Sequence, residues 1–192
     1  MKTQLLLTVI LTISLFMTTC KKQNEGCNNI TELKDKNHLV DPSSLNSQAL
    51  NDTLTKYPEL QIYKIKTYPD HWTVFCNVFY ENLIVFTSGY VLSYYNNTIT
   101  SYDTLCHLSI PISLTPTIDY FTAIKIARQK MDYSNTCIAY RLGIYDLNAY
   151  NENYQKSYKL VWKINGDNGY PWVILDATNG QIYRSDDGMR PF

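Results

Sequence analysis

From Ile62 onward, apolar side chains recur at every second position in one short run after another, and clusters of Asn, Asp, Gly or Pro separate the runs. That period sends neighbouring side chains to opposite sides of an extended backbone, so such a chain builds sheets with one face turned to a core. Trp72, Val74, Cys76, Val78 and Tyr80 share one face of the first long run, with Phe75 and Phe79 opposite. Glu81-Asn82 reads as a hairpin turn, and Asn96-Asn97 supplies turn residues that tolerate positive φ. The expectation is a meander with strands at 62–66, 72–80, 83–87, 90–95 and 99–102. Further strands are expected at 136–144, 158–164, 170–175 and 181–184, with turn clusters at 165–169 and 176–180. In 158–164, Tyr158, Leu160, Trp162 and Ile164 face one way, and Lys159, Val161 and Lys163 the other.

Two stretches leave this period for a helical one. Leu45, Ala49, Leu50 and Leu54 predict a helix over 44–56, with Ser43 or Ser44 as N-cap and Pro58 as the stop. The second helix is expected over 117–131, with Thr117 as N-cap and Asp119 in the first turn, where the helix dipole favours an anion. Its apolar stripe is Tyr120, Ala123, Ile124, Ala127 and Met131, expected to pack on Leu160, Trp162 and Ile174. Pro111 and Pro116 bias the connector between the halves towards extended backbone. Each half thus reads helix first, then strands. The fold class expected is α+β: antiparallel sheets, each with a helix packed on one face.

The first residues, MKTQLLLTVILTISLFMTTC, are an address and not part of the fold. Lys2 precedes an apolar run of 13 residues from Leu5 to Met17. At helical rise this run spans only about 20 Å, against a hydrocarbon core of about 30 Å. A positive start, a short apolar centre and small polar residues after it describe a secretory signal peptide. Met17-Thr18-Thr19-Cys20, followed by Lys21 and Lys22, resembles the lipobox of bacterial lipoproteins, in the form met in Bacteroidota. That resemblance implies cleavage before Cys20, acylation of Cys20, and a membrane anchor there. Several acyl chains on one residue suffice for stable attachment, where one chain is marginal.

Apart from Cys20, the cysteines are Cys27, Cys76, Cys106 and Cys137, candidates for two disulfides with three possible connectivities. A Cys76–Cys106 pair is preferred, because it would staple neighbouring strands of one half. The spacings of 49, 30 and 31 residues contain no CxxC. His38, His71 and His107 are dispersed, and HExxH, GxSxG, GxxxxGK[ST] and GxGxxG do not occur. His107 follows Cys106, but adjacent strand residues face opposite ways. Asp186-Asp187 is a carboxylate pair near the end of the last run. No catalytic, cofactor-binding or metal-binding residues are assigned, and the chain is read as a non-enzyme. With 17 Lys+Arg against 17 Asp+Glu, bulk charge does not drive nucleic-acid binding.

Three segments of the second half resemble a PepSY domain: the helix TIDYFTAIKIARQKM (117–131), the strand YKLVWKI (158–164), and WVILDATNGQIYRSDDG (172–188). The stretch FYENLIVFTSGYVLSYYNNTITS (79–101) is similar to the portion that precedes PepSY in propeptides of thermolysin-like metallopeptidases. The resemblance implies a cystatin-like arrangement, and with the readings above the expected division is a signal peptide (1–19), a polar tether (20–41), a propeptide-like half (42–110), a connector (111–116), a PepSY-like half (117–188) and a tail (189–192). It implies further a secreted or envelope peptidase as partner, inhibited or regulated in trans, since no peptidase domain follows. The expected function is therefore a lipid-anchored, non-catalytic binding module of the cell envelope, placed at the outer membrane. The alternative is a structural accessory lipoprotein of an outer-membrane complex. A sheet face rich in tyrosines, of which the chain has 17, is the candidate contact surface. Trp72, Trp162 and Trp172 are expected in the core.

Overall fold

A computed structural model describes residues 30–32, 47–96, 98–101, 107–133, 137–151, 155–166 and 169–188. The leader, Cys20, Cys27, His38, the proposed caps Ser43 and Ser44, Cys106 and the tail lie outside the described residues. In chain order the elements are β1 (Ile30–Glu32), α1 (Gln48–Lys56), β2 (Leu60–Thr67), β3 (Trp72–Tyr80), β4 (Leu83–Tyr95), β5 (Thr98–Ser101), α2 (Tyr120–Lys130), β6 (Ile138–Asp146), β7 (Tyr158–Asn165), β8 (Trp172–Asp176) and β9 (Ile182–Asp186).

The strands form one mixed nine-stranded sheet with the path β2-β3-β4-β6-β7-β8-β9, to which β5 adds beside β4 and β1 beside β6. This corrects the expected fold class of antiparallel sheets, each with its own helix. Two parallel pairings overturn it: β4 with β6, through Ile84↔Gly143 and Val85↔Ile144, and β1 with β6, through Ile30↔Ile138 to Glu32↔Tyr140. The β4–β6 join stitches the two halves of the chain into one sheet. It closes because Gly143 carries no side chain: a Cβ there would lie 2.5 Å from the Phe86 ring and 2.7 Å from the Ile84 carbonyl. Val85 and Ile144 on the other side of the join are 1% and 0% exposed.

Hydrophobic periodicity reports which way a side chain points, but not which strand will lie beside it, and the expectation erred there. β4 is likewise one strand of 13 residues and not two. The break expected at Gly89 appears instead as a register shift against β3 between Asn77 and Phe79. At Gly89 itself a Cβ would approach the Cys76 carbonyl to 3.2 Å.

Both helices begin later than expected, on other caps. Ser47 Oγ accepts from Leu50 N at 3.2 Å and starts α1. Asp119 Oδ1 accepts from Thr122 N at 2.8 Å and starts α2, while the Thr117 N–H donates to the Ala177 carbonyl. A carboxylate at the positive helix end gains from the dipole as well as the hydrogen bond. That bond to Thr122 N holds the Asp119 carboxyl below the usual carboxylate range.

Two cores line one side of the sheet. Leu50 of α1 packs with Leu60, Ile62, Val74, Cys76, Val78, Val85 and Ile144. Ala123, Ile124 and Ala127 of α2 pack with Leu160, Trp162, Ile164, Val173 and Leu175. Ile174, expected under α2, points to the opposite side with Tyr145 and Val161. Among the described residues no helix is long and apolar enough to cross a membrane.

Candidate functional site: the helix-free face of the sheet

The positions that alternate with the cores define a second face, and neither described helix lies on it. Register fixes its membership. Lys64 lies opposite Phe75, Phe79 opposite Ile84, Arg141 opposite Lys163, and Tyr145 opposite Lys159. Lys163 then faces Ile174, and Ile174 faces Arg184. The face is floored by aromatic and branched side chains, of which Tyr145, Val161 and Ile174 are at most 4% exposed.

Its cations are held over rings. Lys64 and Lys66 Nζ lie 5.9 and 5.5 Å from the Phe75 centroid, Arg141 Cζ 5.6 Å from Phe79, and Lys163 Nζ 5.3 Å from Phe86. Such contacts are worth about 0.5–1 kcal/mol at exposed positions. Burial, and then the neighbouring Arg141 charge, push the Lys163 ammonium below its usual range.

A cleft of about 420 Å³ opens at the β6–β9 end, lined by Tyr145, Leu147, Asn148, Tyr150, Asn151, Tyr183 and Arg184. The Arg184 guanidinium sits 4.7 Å from the Tyr150 centroid and donates to Tyr145 Oη at 3.1 Å. Buried Asp146 shapes the loop that frames the cleft: its Oδ1 accepts from Asn148 N at 3.1 Å and Ser157 N at 2.9 Å. A second cleft, of about 320 Å³, lies at the β2–β3 end and includes Glu59, Phe79, Glu81 and His107. There His107 Nδ1 approaches Glu59 Oε1 to 3.0 Å.

The turn after β8 adjoins the α2 core through Ala177. Asp176 is 5% exposed, and its Oδ1 accepts from Thr178 N at 2.7 Å and Asn179 N at 3.2 Å. The Thr178 and Tyr183 hydroxyls also donate to this carboxylate. Burial pushes the carboxyl upward, but these hydrogen bonds outweigh it and hold Asp176 below the usual carboxylate range. The turn docks on α2 through the Ala177 carbonyl, which accepts from Thr117 N and Ile118 N.

The structure separates the catalytic candidates considered from sequence. Asp186 is on β9, at the opposite edge of the sheet path from β2, which Glu59 and its partner His107 adjoin. The Asp186 carboxylate is occupied by Gly188 N at 2.8 Å. His71 Nδ1 lies 2.7 Å from Asp70 Oδ1, and its ring stacks on Tyr68. Cys76 is a buried free thiol, which corrects the preferred Cys76–Cys106 pairing. Cys76 points into the α1 core, and desolvation pushes its thiol up to about 12. Cys137 directly precedes β6 and is half-buried. Among the described residues no group of three or more His, Cys, Asp or Glu is placed to hold a metal ion.

Trp162 is a core residue, its Nε1 donating to the Ile118 carbonyl at 2.9 Å, and Trp72 stacks on Tyr94. The tyrosines do not gather on one surface. Tyr120 and Tyr140 stack beside Trp162, and Tyr133 is buried with its hydroxyl directed at the Ile164 carbonyl. The helix-free face is one of Phe, Lys and Arg more than of Tyr. Sequence did separate Phe75 and Phe79, and Lys159 and Lys163, from the core positions. The pairing of β4 with β6 that brings these two groups together carries no local signal.

No family model matches this chain, and no curated protein matches it. Among solved structures it is similar to the Bacillus megaterium YpeB C-terminal domain, with 14% sequence identity and a TM-score of 0.43 over 77% of this chain. The match spans 65% of that chain's length.

Proposed function

We propose that this chain is a non-catalytic binding module of the bacterial cell envelope, anchored to the membrane by lipid on Cys20, and that a secreted or envelope peptidase is the partner it regulates in trans. The observation that carries the binding part is the helix-free sheet face, where ring-mounted cations flank a buried apolar floor. Surfaces that combine aromatic and arginine side chains are those on which binding energy concentrates. The separation of Asp186 from the Glu59–His107 pair supports the non-catalytic part. The anchor rests on the Met17–Cys20 lipobox resemblance, and the peptidase on the PepSY-like segments.

The test is affinity capture from envelope and culture-medium fractions of the source bacterium, with the detergent-solubilised full chain immobilised and bound proteins identified by mass spectrometry. A captured peptidase whose activity falls as the chain is added supports regulation in trans. Capture of non-peptidase envelope proteins alone replaces it with the accessory-lipoprotein reading. A bare column overturns the binding module. Incorporation of labelled palmitate into the wild type but not into Cys20→Ala supports the anchor, and equal incorporation overturns it.

A further inference from the structure

The chain has as many acidic as basic side chains, yet the helix-free face does not share that balance. The strands contribute six cations to it: Lys64 and Lys66 on β2, Arg141 on β6, Lys159 and Lys163 on β7, and Arg184 on β9. The strand carboxylates on the same face are Asp176 and Asp186. Asp176 is buried and occupied by Thr178, Asn179 and Tyr183. Asp186 accepts from Gly188 N. Glu59 and Glu81 stand only at the rim, in the smaller cleft.

Arg141 and Lys163 sit directly opposite each other across β6 and β7, so two like charges share this part of the face. Three of the six cations, Lys64, Lys66 and Arg184, are exposed and parked over rings, so their donors are held at the surface. Donors already ordered on a folded surface lose little entropy when they meet an anion.

Resting on the binding-module reading, we propose that this face is the docking surface for an extended acidic polypeptide segment of the partner protein. The dimensions suit such a segment. From β2 to β9 the sheet path takes six steps of about 4.8 Å, or roughly 29 Å. That is the length of about nine residues in extended form, at about 3.3 Å each. At one end of this path β2 carries Lys64 and Lys66, and at the other β9 carries Arg184 beside the larger cleft. A lipid surface fits less well. Phe79, Tyr145, Val161 and Ile174 on the floor are at most 8% exposed, so the floor offers no apolar wedge to a bilayer. The exposed Leu147 and Tyr150 stand at one end, in the larger cleft.

The experiment uses the full chain in mild detergent and a fluorescein-labelled decapeptide of alternating Glu and Ser, followed by fluorescence anisotropy. Saturable binding is expected, weakening about tenfold or more when Gln replaces Glu in the peptide. A similar loss is expected for the chain carrying Lys64→Gln, Lys66→Gln, Lys159→Gln and Arg184→Gln, all exposed positions. An unchanged urea midpoint shows that this variant folds. Should it not fold, raising NaCl on the wild type gives the same information, because rim charge pairs are screened by salt. Equal affinity for the Glu and Gln peptides, or salt-independent binding, overturns the inference. So does binding of phosphatidylglycerol vesicles without binding of the peptide. If the quadruple variant still captures the same envelope protein as the wild type, the acidic occupant falls and the binding module stands.

Discussion

Replacement of Asp176 by Asn tests what holds the second half together. The buried carboxylate accepts two backbone N–H groups, from Thr178 and Asn179, and two hydroxyls, from Thr178 and Tyr183. Asn preserves the shape and one acceptor oxygen, so the turn can close, but the negative charge is gone. A hydrogen bond to a charged acceptor contributes about 1.5–3 kcal/mol, and a neutral one about 0.5–1.5. Four bonds on one group are not additive, so the expected loss at pH 7 is about 2–3 kcal/mol. For a chain of this size that lowers Tm by roughly 4–12 °C.

The sign of the pH dependence follows from the depressed carboxyl. An unfolded Asp titrates near about 3.9. The stability supplied by this carboxylate is therefore complete above that pH, and is lost as pH falls through the lower folded-state value. Urea unfolding of wild type and Asp176→Asn between pH 7 and about pH 2 should show a gap that closes only in acid. A gap of constant size over that range would refute the reasoning, because it would place the cost in shape and not in charge.

Gly180→Ala should destabilise by about 1–2 kcal/mol through φ of +77°, and by more to the extent that Ile126 cannot yield, since its Cδ1 would stand 2.6 Å from the new Cβ. Gly169→Ala, at φ +88° with nothing within 4 Å, is the control for backbone strain alone; urea midpoints that rank Gly169→Ala as the worse variant would contradict the packing account. Cys76 should resist a thiol reagent at pH 8, because its thiol is buried and pushed up to about 12. Wild type and Cys76→Ala should therefore show equal accessible thiols when folded and differ by one in urea, and a difference in the folded state would mean that the α1 core opens.

Much of the local structure was legible because it depends on neighbours in sequence. Alternation sorted Val74, Cys76 and Val78 from Phe75, and Leu160, Trp162 and Ile164 from Lys159 and Lys163, as the cores show. Glu81 and Asn82 form the expected turn, and Asn96 takes the positive φ expected of its own. The errors lie where two local signals competed or where a partner was distant. Asp119, a stronger cap than Thr117, starts α2. Ile30–Glu32 became a strand only because β6 offers it an edge, since three residues cannot hold a strand by themselves.

What the sequence determined alone was the direction in which each side chain leaves the backbone, because a period of two or 3.6 is set by covalent geometry. Which strands lie side by side was decided in three dimensions. The absence of one side chain at Gly143 lets Phe86 and Ile84 close against β6, and that contact merges the two halves into a single mixed sheet. Only then do Phe75 and Phe79 of one half share a face with Arg141 and Lys163 of the other, because the energy of that juxtaposition comes from contacts between residues far apart in the chain.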